Sequence, residues 1–340
     1  MDMNGYALPP GSRILVTGAN GYIASHVVDQ LLARGFLVRG TIRRPMPWLE
    51  EYFAGKYRDN VFESVIVPSL EDSRALEDLM NDISGVIHMA SDLTFSSSPE
   101  AVVPWVVKGT TSMLEAAAKQ PSLKCFVLAS SSSAAYMLSP DPNGRKIDKD
   151  SWNETAVRNA WDDKISGEEK GLAVYAASKT EGERQAWNWI RENRPQFRFN
   201  SILPCFNVGT ILHTEIPGST MGWTRKLLTG DPSAFSKFSE QWFVDVEDVA
   251  LLSVIGLLDP TVTSERIFAF GEQFHWSDVV RVLRELRPTN KRIPDAPSNV
   301  PRDRTEVLPR KRSLALLSAW GKDGFTPIGK SLANGIQNWE

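Results

Sequence analysis

The stretch from Val16 to Ala24 constrains the fold more than any other part of the chain. It joins an apolar segment, which predicts a strand, to an amphipathic segment, which predicts a helix. Gly18 allows a sharp turn after the strand, Gly21 removes a side chain where the backbone would approach a phosphate, and the small side chain of Ala24 lets the helix lie close to a sheet. A helix N-terminus after such a turn offers free N–H groups to an anion. The pattern therefore predicts a dinucleotide site.

Strand and helix patterns alternate through the first two thirds of the chain. Short apolar runs without alternation of polar residues are typical of strands buried on both faces of a sheet. Strands are predicted near residues 13–16, 36–42, 62–67, 85–90, 124–129 and 199–203. Helices are predicted near residues 23–33, 72–80, 99–119 and 175–191. This alternation predicts an α/β fold, a doubly wound parallel Rossmann sheet.

The alternation fades after Pro204. Residues 206–243 are predicted to be mostly loop with one short helix, residues 288–304 an exposed excursion, and the end of the chain a strand and three helices. Those later elements are expected near 266–270, from 277 onwards, near 313–320 and near 327–339. We therefore predict a nucleotide-binding Rossmann domain at residues 1–204. A smaller substrate-binding lobe is expected over most of residues 205–340, with some segments returning to the first domain.

Composition excludes several classes of function. The 340 residues carry a net charge of −3 and no long basic block, so nucleic acid is not an expected partner. No apolar window is long enough for a membrane span or a signal peptide, which predicts no membrane partner and a cytoplasmic location. Cys125 and Cys205 lie in apolar stretches and are expected to be buried free thiols. The four scattered histidines predict no metal site.

Three arginines indicate which cofactor would bind. In a dinucleotide fold, the residue at the end of the second strand meets the adenine ribose: a carboxylate there selects NAD, and an arginine accommodates the 2′-phosphate of NADP. Arg39 is expected at that position, and Arg43 and Arg44 follow it. Guanidinium groups suit phosphate because their donors match its oxygens in pairs. The sequence therefore favours NADPH.

Two further patterns indicate carbonyl chemistry. Tyr175 and Lys179 are four residues apart and would share one helix face, where an ammonium favours the phenolate and lowers the phenol pKa. A phenol of lowered pKa can exchange a proton with a carbonyl oxygen. Residues 130–133 are four serines directly after the fifth predicted strand, at the sheet edge where ligands bind. A serine hydroxyl there can stabilise charge on that oxygen, or it can simply cap the strand end.

Together these stretches resemble the extended short-chain dehydrogenase/reductases. Within them the chain resembles the branch of dihydroflavonol reductases and fungal or yeast NADPH-dependent aldehyde reductases. The matching stretches cover nearly the whole chain in family order: 15–21, 38–41, 85–91, 127–131, 174–181 and 243–250. The stretch 218–223 is more similar to the fungal aldehyde reductases than to the flavonoid enzymes.

The resemblance implies roles for individual residues. Tyr175 would be the general acid, Lys179 would lower its pKa and bind the nicotinamide ribose, and Ser131 would polarise the carbonyl. The cofactor would be NADPH, held by Gly18, Asn20, Gly21, Tyr22, Ile23, Arg39, Arg43, Arg44, Ala90, Tyr175, Lys179, Pro204 and Ser219. The substrate pocket would be built from Phe95, Ser132, Tyr136, Phe206, Trp223, Phe238 and Gln241.

An aromatic pocket would suit an aryl aldehyde, an aryl ketone or a ketoester. The small-molecule carbonyl substrate would be the partner of a monomer or homodimer. Tyr136 replaces the Asn that flavonoid reductases place there, which argues against a polyphenol substrate. Residues 67–70 lack the family's acidic residue near the adenine, and residues 107–110 lack a clear equivalent of the relay Asn of classical relatives.

Two alternatives remain open at this point. An NAD-dependent epimerase/dehydratase or a hydroxysteroid-type dehydrogenase would share Ser, Tyr and Lys on the same scaffold, and Arg39 without an acidic neighbour disfavours both. A non-catalytic NADP-sensing Rossmann protein would typically lack the catalytic Tyr, whereas Tyr175 and Lys179 are both present.

Overall fold

The computed structural model describes residues 5–339, which contain twelve strands. In chain order these are β1 (Arg13–Thr17), β2 (Leu37–Ile42), β3 (Phe62–Ile66), β4 (Ile83–His88), β5 (Cys125–Ala129), β6 (Lys146–Ile147), β7 (Arg198–Pro204), β8 (Phe206–Val208), β9 (Gln241–Asp245), β10 (Arg266–Ala269), β11 (Glu272–Phe274) and β12 (Glu306–Val307).

Seven of these strands form one parallel sheet in the order β10-β7-β5-β4-β1-β2-β3. Strand β1 lies between β2 and β4, so that Val16 is in register with Gly40 on one side and Ile87 on the other. The order reverses at β1, and in such sheets ligands bind beyond the carboxyl ends of the strands at that switch point. The α/β doubly wound fold that the sequence predicts is confirmed.

Twelve α-helices accompany the strands in the described part of the chain. They are α1 (Tyr22–Ala33), α2 (Pro47–Lys56), α3 (Ser73–Leu79), α4 (Pro99–Ala118), α5 (Glu154–Trp161), α6 (Gly167–Asn193), α7 (Ser219–Lys226), α8 (Ser233–Lys237), α9 (Val246–Leu258), α10 (Trp276–Leu286), α11 (Arg310–Ala319) and α12 (Ile328–Gly335). None of them is long and apolar enough to cross a membrane.

The main sheet is covered on both faces, as its continuous apolar strands require. Helices α1 and α9 pack together on one face, and α4 packs against α6 on the other. Helix α9 is absent from the sequence prediction because nearly every residue in it is buried, so it has no amphipathic period. Helix α6 begins at Gly167 rather than near 175, since Gly171 weakens the helical pattern of its first turns.

A second, smaller group of elements follows β7. Strands β11, β9 and β8 form a three-stranded sheet, and α7, α8, α10 and α12 share an aromatic core with it around Phe206 and Trp276. The expectation of mostly loop over residues 206–243 is therefore wrong, because these elements are too short to show a period. Strand β10 returns to the main sheet beside β7. The division at residue 204 stays a prediction.

Candidate active site

The glycine motif forms a tight turn between β1 and α1. Gly18 has φ of +66°, which favours glycine, and its N–H donates to Thr41 Oγ1 at 3.0 Å. A Cβ at Gly18 would lie 3.3 Å from the Cα of Ala90, and a Cβ at Gly21 would lie 3.1 Å from the Gly18 oxygen. No side chain caps the N-terminus of α1. These features fit a pyrophosphate, because free N–H groups and bare backbone face the same edge.

The other residues of the motif have different surroundings. The Tyr22 ring is buried and its hydroxyl donates to the Gly209 oxygen at 2.9 Å, so only its backbone N–H is available to a ligand. Ile23 packs between the two hydrophobic cores, and Asn20 is partly exposed at the turn. Tyr22 therefore anchors the helix start to the smaller group of elements, and the turn itself faces the sheet edge.

Arg39 does not lie where the sequence predicts. It is the third residue of β2, in register with Leu15, and the strand ends three residues later at Ile42. Its guanidinium donates to Glu63 Oε1 at 2.8 Å and to two backbone oxygens, those of Leu79 and Asn81. The expectation that Arg39 lies at the strand end and meets the adenine ribose is wrong, because β2 continues to Ile42 and the Arg39 guanidinium is held within the sheet by these contacts.

Arg43 and Arg44 directly follow the end of β2 and are exposed. Arg43 Nη2 lies 3.5 Å from the Ser91 oxygen, just beyond β4. Since β1 lies between β2 and β4, the Arg43 guanidinium lies across the carboxyl end of β1, where the glycine turn begins. Arg43 therefore replaces Arg39 as the best-placed cation for a phosphate.

The four serines after β5 have separate roles. Ser130 Oγ donates to Glu183 Oε2 at 2.7 Å, which ties it to α6. Ser131 Oγ accepts from the backbone N–H and the hydroxyl of Ser133, at 3.2 and 2.8 Å, and caps a short 3₁₀ turn over residues 132–134. Ser132 is almost fully buried. The structure therefore leaves Ser131 and Ser133 as the hydroxyls beside Tyr175.

Tyr175 lies on α6 and faces this serine pair. Packing around the phenol raises its pKa above the ordinary value, while hydrogen bonding with Ser131 and Ser133 acts in the opposite direction. The expectation that Lys179 lowers the pKa of the phenol is wrong, because burial raises this pKa by more than the hydrogen bonds with the serines lower it. A raised pKa keeps the phenol protonated at neutral pH, which is the form that a proton donor requires.

Lys179 is buried one turn further along α6. Its Nζ donates to the Ala129 oxygen at 3.3 Å, and burial lowers its pKa to about 8, while the Glu183 carboxylate raises it. His88, on β4, is neutral beside it, because burial lowers the pKa of His88 to about 3. The ammonium charge therefore depends on Glu183, the carboxylate that opposes the effect of burial.

Glu183 is a residue of this site that the sequence analysis missed. It is fully buried and pairs with Arg266 on β10, at 2.8 Å from Nε to Oε1. It also accepts from Ser130 after β5 and from Ser201 on β7, the latter at 2.6 Å. One carboxylate thus joins α6 to three neighbouring strands. Its spacing, four residues after Lys179, was the available signal, since Tyr175, Lys179 and Glu183 share one helix face.

Four aromatic residues of the predicted pocket form two groups, Phe95 beside Tyr175 and the other three packed together. The Phe95 ring lies 4.9 Å from the Tyr175 ring, Phe238 lies 5.2 Å from Phe206, and Trp223 lies 6.3 Å from Phe238. The ammonium of Lys237 links these two groups, because it lies 5.0 Å from both the Phe95 and the Trp223 rings. The sheet edge and the smaller group of elements therefore meet at these four rings, which we call the aromatic wall.

Other predicted residues lie apart from this wall. Tyr136 is buried in the main core between Phe270 and the guanidinium of Arg145, and its hydroxyl has no partner among residues 5–339. Gln241 is buried and donates to the Ser239 oxygen. Pro204 ends β7, and Ser219 is exposed at the start of α7. The structure does not bring Tyr136 into the group around Tyr175.

Comparison with known proteins finds a family model, curated relatives and a solved structure that are similar to this chain. The model of the NAD dependent epimerase/dehydratase family matches residues 14–268. Ketoreductase adrE of Penicillium roqueforti is 44% identical over 335 residues, which is 97% of either chain. Aldehyde reductase 2 of Sporidiobolus salmonicolor is 37% identical over 332 residues, 96% of this chain and 95% of the relative. The crystal structure of yeast methylglyoxal/isovaleraldehyde reductase Gre2 complexed with NADPH superposes with a TM-score of 0.79 at 22% identity, covering 96% and 97% of the two chains.

Proposed function

The chain belongs to the NAD dependent epimerase/dehydratase family of extended short-chain dehydrogenase/reductases, and we propose that it reduces an aryl aldehyde, aryl ketone or ketoester with Tyr175 as the general acid. It is an NADP-dependent oxidoreductase that acts on carbonyl groups. The single observation that carries the proposal is the position of Tyr175. Its phenol, with a raised pKa, lies against Ser131 on one side and the Phe95 ring on the other.

Each side chain has a defined part in this reaction. The substrate carbonyl oxygen would lie between the hydroxyls of Ser131 and Tyr175, so that Ser131 stabilises charge on it and Tyr175 transfers its proton. NADPH, when bound, would supply the hydride to the carbonyl carbon. A C–H and an O–H bond form, and the products are the alcohol and NADP⁺. The Lys179 ammonium then stabilises the phenolate that Tyr175 becomes, and the aromatic wall excludes water.

The proposal is tested by following NADPH oxidation at 340 nm with aryl aldehydes, aryl ketones and ketoesters. We expect turnover with at least one of these classes and much slower turnover with NADH. Tight NADPH binding without turnover across the panel would contradict it and favour a nucleotide-sensing role. Copurification of tightly bound NAD would instead favour an epimerase or dehydratase.

We expect Arg43→Ala to weaken NADPH selectively. Loss of one charged contact to the 2′-phosphate should raise the KM for NADPH by about tenfold to a hundredfold, and leave the KM for NADH within about twofold. The measurement is kcat/KM for each cofactor with the same carbonyl substrate. Arg58→Ala removes an exposed guanidinium beyond α2 and serves as the matched control. Equal losses with NADPH and NADH would show that Arg43 does not bind the phosphate.

A further inference from the structure

Lys237 occupies an unusual position at the aromatic wall. It is the last residue of α8, and its ammonium lies 5.0 Å from the centroids of both the Phe95 and Trp223 rings. The side chain is half-buried there. Ring faces attract a cation, but they accept none of its three hydrogen bonds strongly. The ammonium therefore retains donors for an anion.

Among residues 5–339, no carboxylate neutralises the charge of Lys237. Within residues 5–339, no Asp or Glu oxygen lies within 4.0 Å of the Lys237 ammonium. The neighbouring Lys226 differs, because its ammonium faces Asp231 at 3.8 Å as well as lying over the Trp223 ring. The wall thus presents one cation opposed by a carboxylate and one that is not.

Phe95 connects this cation to the reacting group. Its ring lies 4.9 Å from the Tyr175 ring on one side and 5.0 Å from the Lys237 ammonium on the other. The backbone of Phe95 has φ of +52°, which is rare for a bulky residue, and its oxygen packs where a Cβ on Gly171 would lie only 2.4 Å away. The Phe95 backbone is therefore held tightly against α6, and its ring lies between Tyr175 and the Lys237 ammonium.

We propose that Lys237 binds a carboxylate on the carbonyl substrate, so that the enzyme prefers aromatic carbonyl compounds that carry a negative charge remote from the carbonyl. This inference rests on the proposed function. The carbonyl end meets Ser131 and Tyr175, the aromatic body lies along Phe95 and Trp223, and the carboxylate accepts from the Lys237 ammonium. Because the ammonium is partly desolvated between two rings, its contact with an anion is stronger than at an open surface.

A matched pair of substrates tests this assignment. The experiment measures kcat/KM for 4-formylbenzoate and for methyl 4-formylbenzoate, which differ in charge but present the same aldehyde and ring. The readout is the ratio of the two values, acid over ester. We expect Lys237→Met to lower this ratio by about fivefold to tenfold. Raising the salt concentration should lower the wild-type ratio in the same direction.

Two further variants separate charge from packing. Lys237→Arg retains a cation over both rings and is expected to keep the ratio within about twofold of wild type. Lys226→Met removes the neighbouring ammonium, which Asp231 already opposes, and should also leave the ratio within about twofold.

The outcomes separate a failure of the role assigned to Lys237 from a failure of the proposed function. If wild-type protein reduces the ester but Lys237→Met leaves the ratio unchanged, the role of Lys237 is wrong and the proposed function stands. If wild type reduces neither aldehyde nor any other carbonyl of the panel, the proposed function itself fails. An equal fall of the acid-over-ester ratio in Lys226→Met would show that the effect comes from the overall positive charge near the aromatic wall. That result would contradict a specific contact with Lys237.

Discussion

Replacing Tyr175 with Phe is expected to lower kcat by about a hundredfold to ten-thousandfold. The change removes one oxygen, and with it the phenol that hydrogen-bonds with Ser131 and Ser133 from α6. The Phe ring would retain the packing against Phe95, where the two rings now lie 4.9 Å apart. The loss should therefore fall on the chemical step and not on folding.

The measurement is kcat with saturating NADPH and the best substrate of the panel, beside the dissociation constant of NADPH from its fluorescence. We expect kcat to fall far more than NADPH binding weakens. Tyr6→Phe is the matched control, because Tyr6 stacks on Trp320 away from the serines and should keep wild-type turnover. A Tyr175→Phe variant with full turnover would rule out the proposed acid.

The second large effect is expected at Glu183. Glu183→Gln leaves the Arg266 guanidinium buried without its anion, and breaking a buried pair in this way costs about 3 kcal/mol or more. The amide can still accept from Ser130 or Ser201, which places the expected loss at the lower end of that range. The free energy of unfolding and the melting temperature measure this effect directly.

Loss of this carboxylate should also change the pH profile. Lys179 is charged below its pKa of about 8, and Glu183 is the neighbour that raises that pKa. Removing the negative charge, with Arg266 still positive nearby, lowers the pKa of Lys179 further. The alkaline limb of log kcat/KM against pH should therefore move to lower pH in Glu183→Gln. A variant that is less stable but keeps the wild-type pH profile would show that Glu183 has a structural role alone.

Glu181→Gln provides the comparison on the same helix. Glu181 pairs with Arg184 at 2.8 Å, and both side chains are partly exposed. Loss of such a pair changes the free energy of unfolding by about 1 kcal/mol or less. The difference between the two variants would isolate the effect of burial, since both remove one carboxylate from α6 and differ mainly in solvent access.

The sequence by itself determined the features that depend on neighbouring residues. Gly18 has a positive φ because the chain must turn sharply after β1, and that need is visible in the order of strand, glycine and helix. Tyr175 and Lys179 share a face because the helical period is a local property. The parallel sheet followed in the same way, since each buried strand shows its own apolar run. Helix α9 was missed, because a helix buried on every side has no period to detect.

The tertiary structure decided everything that depends on how distant segments meet. Arg39 and Arg43 are equally basic in sequence, and only the length of β2 and the position of Glu63 show that Arg43 reaches the edge above β1. Ser130 differs from Ser131 because Glu183, 53 residues later, accepts a hydrogen bond from its hydroxyl. The placement of Lys237 against Phe95 likewise joins segments far apart in the chain. Local patterns record what a residue can do, whereas strand register and helix packing determine which of several similar residues stands close enough to do it.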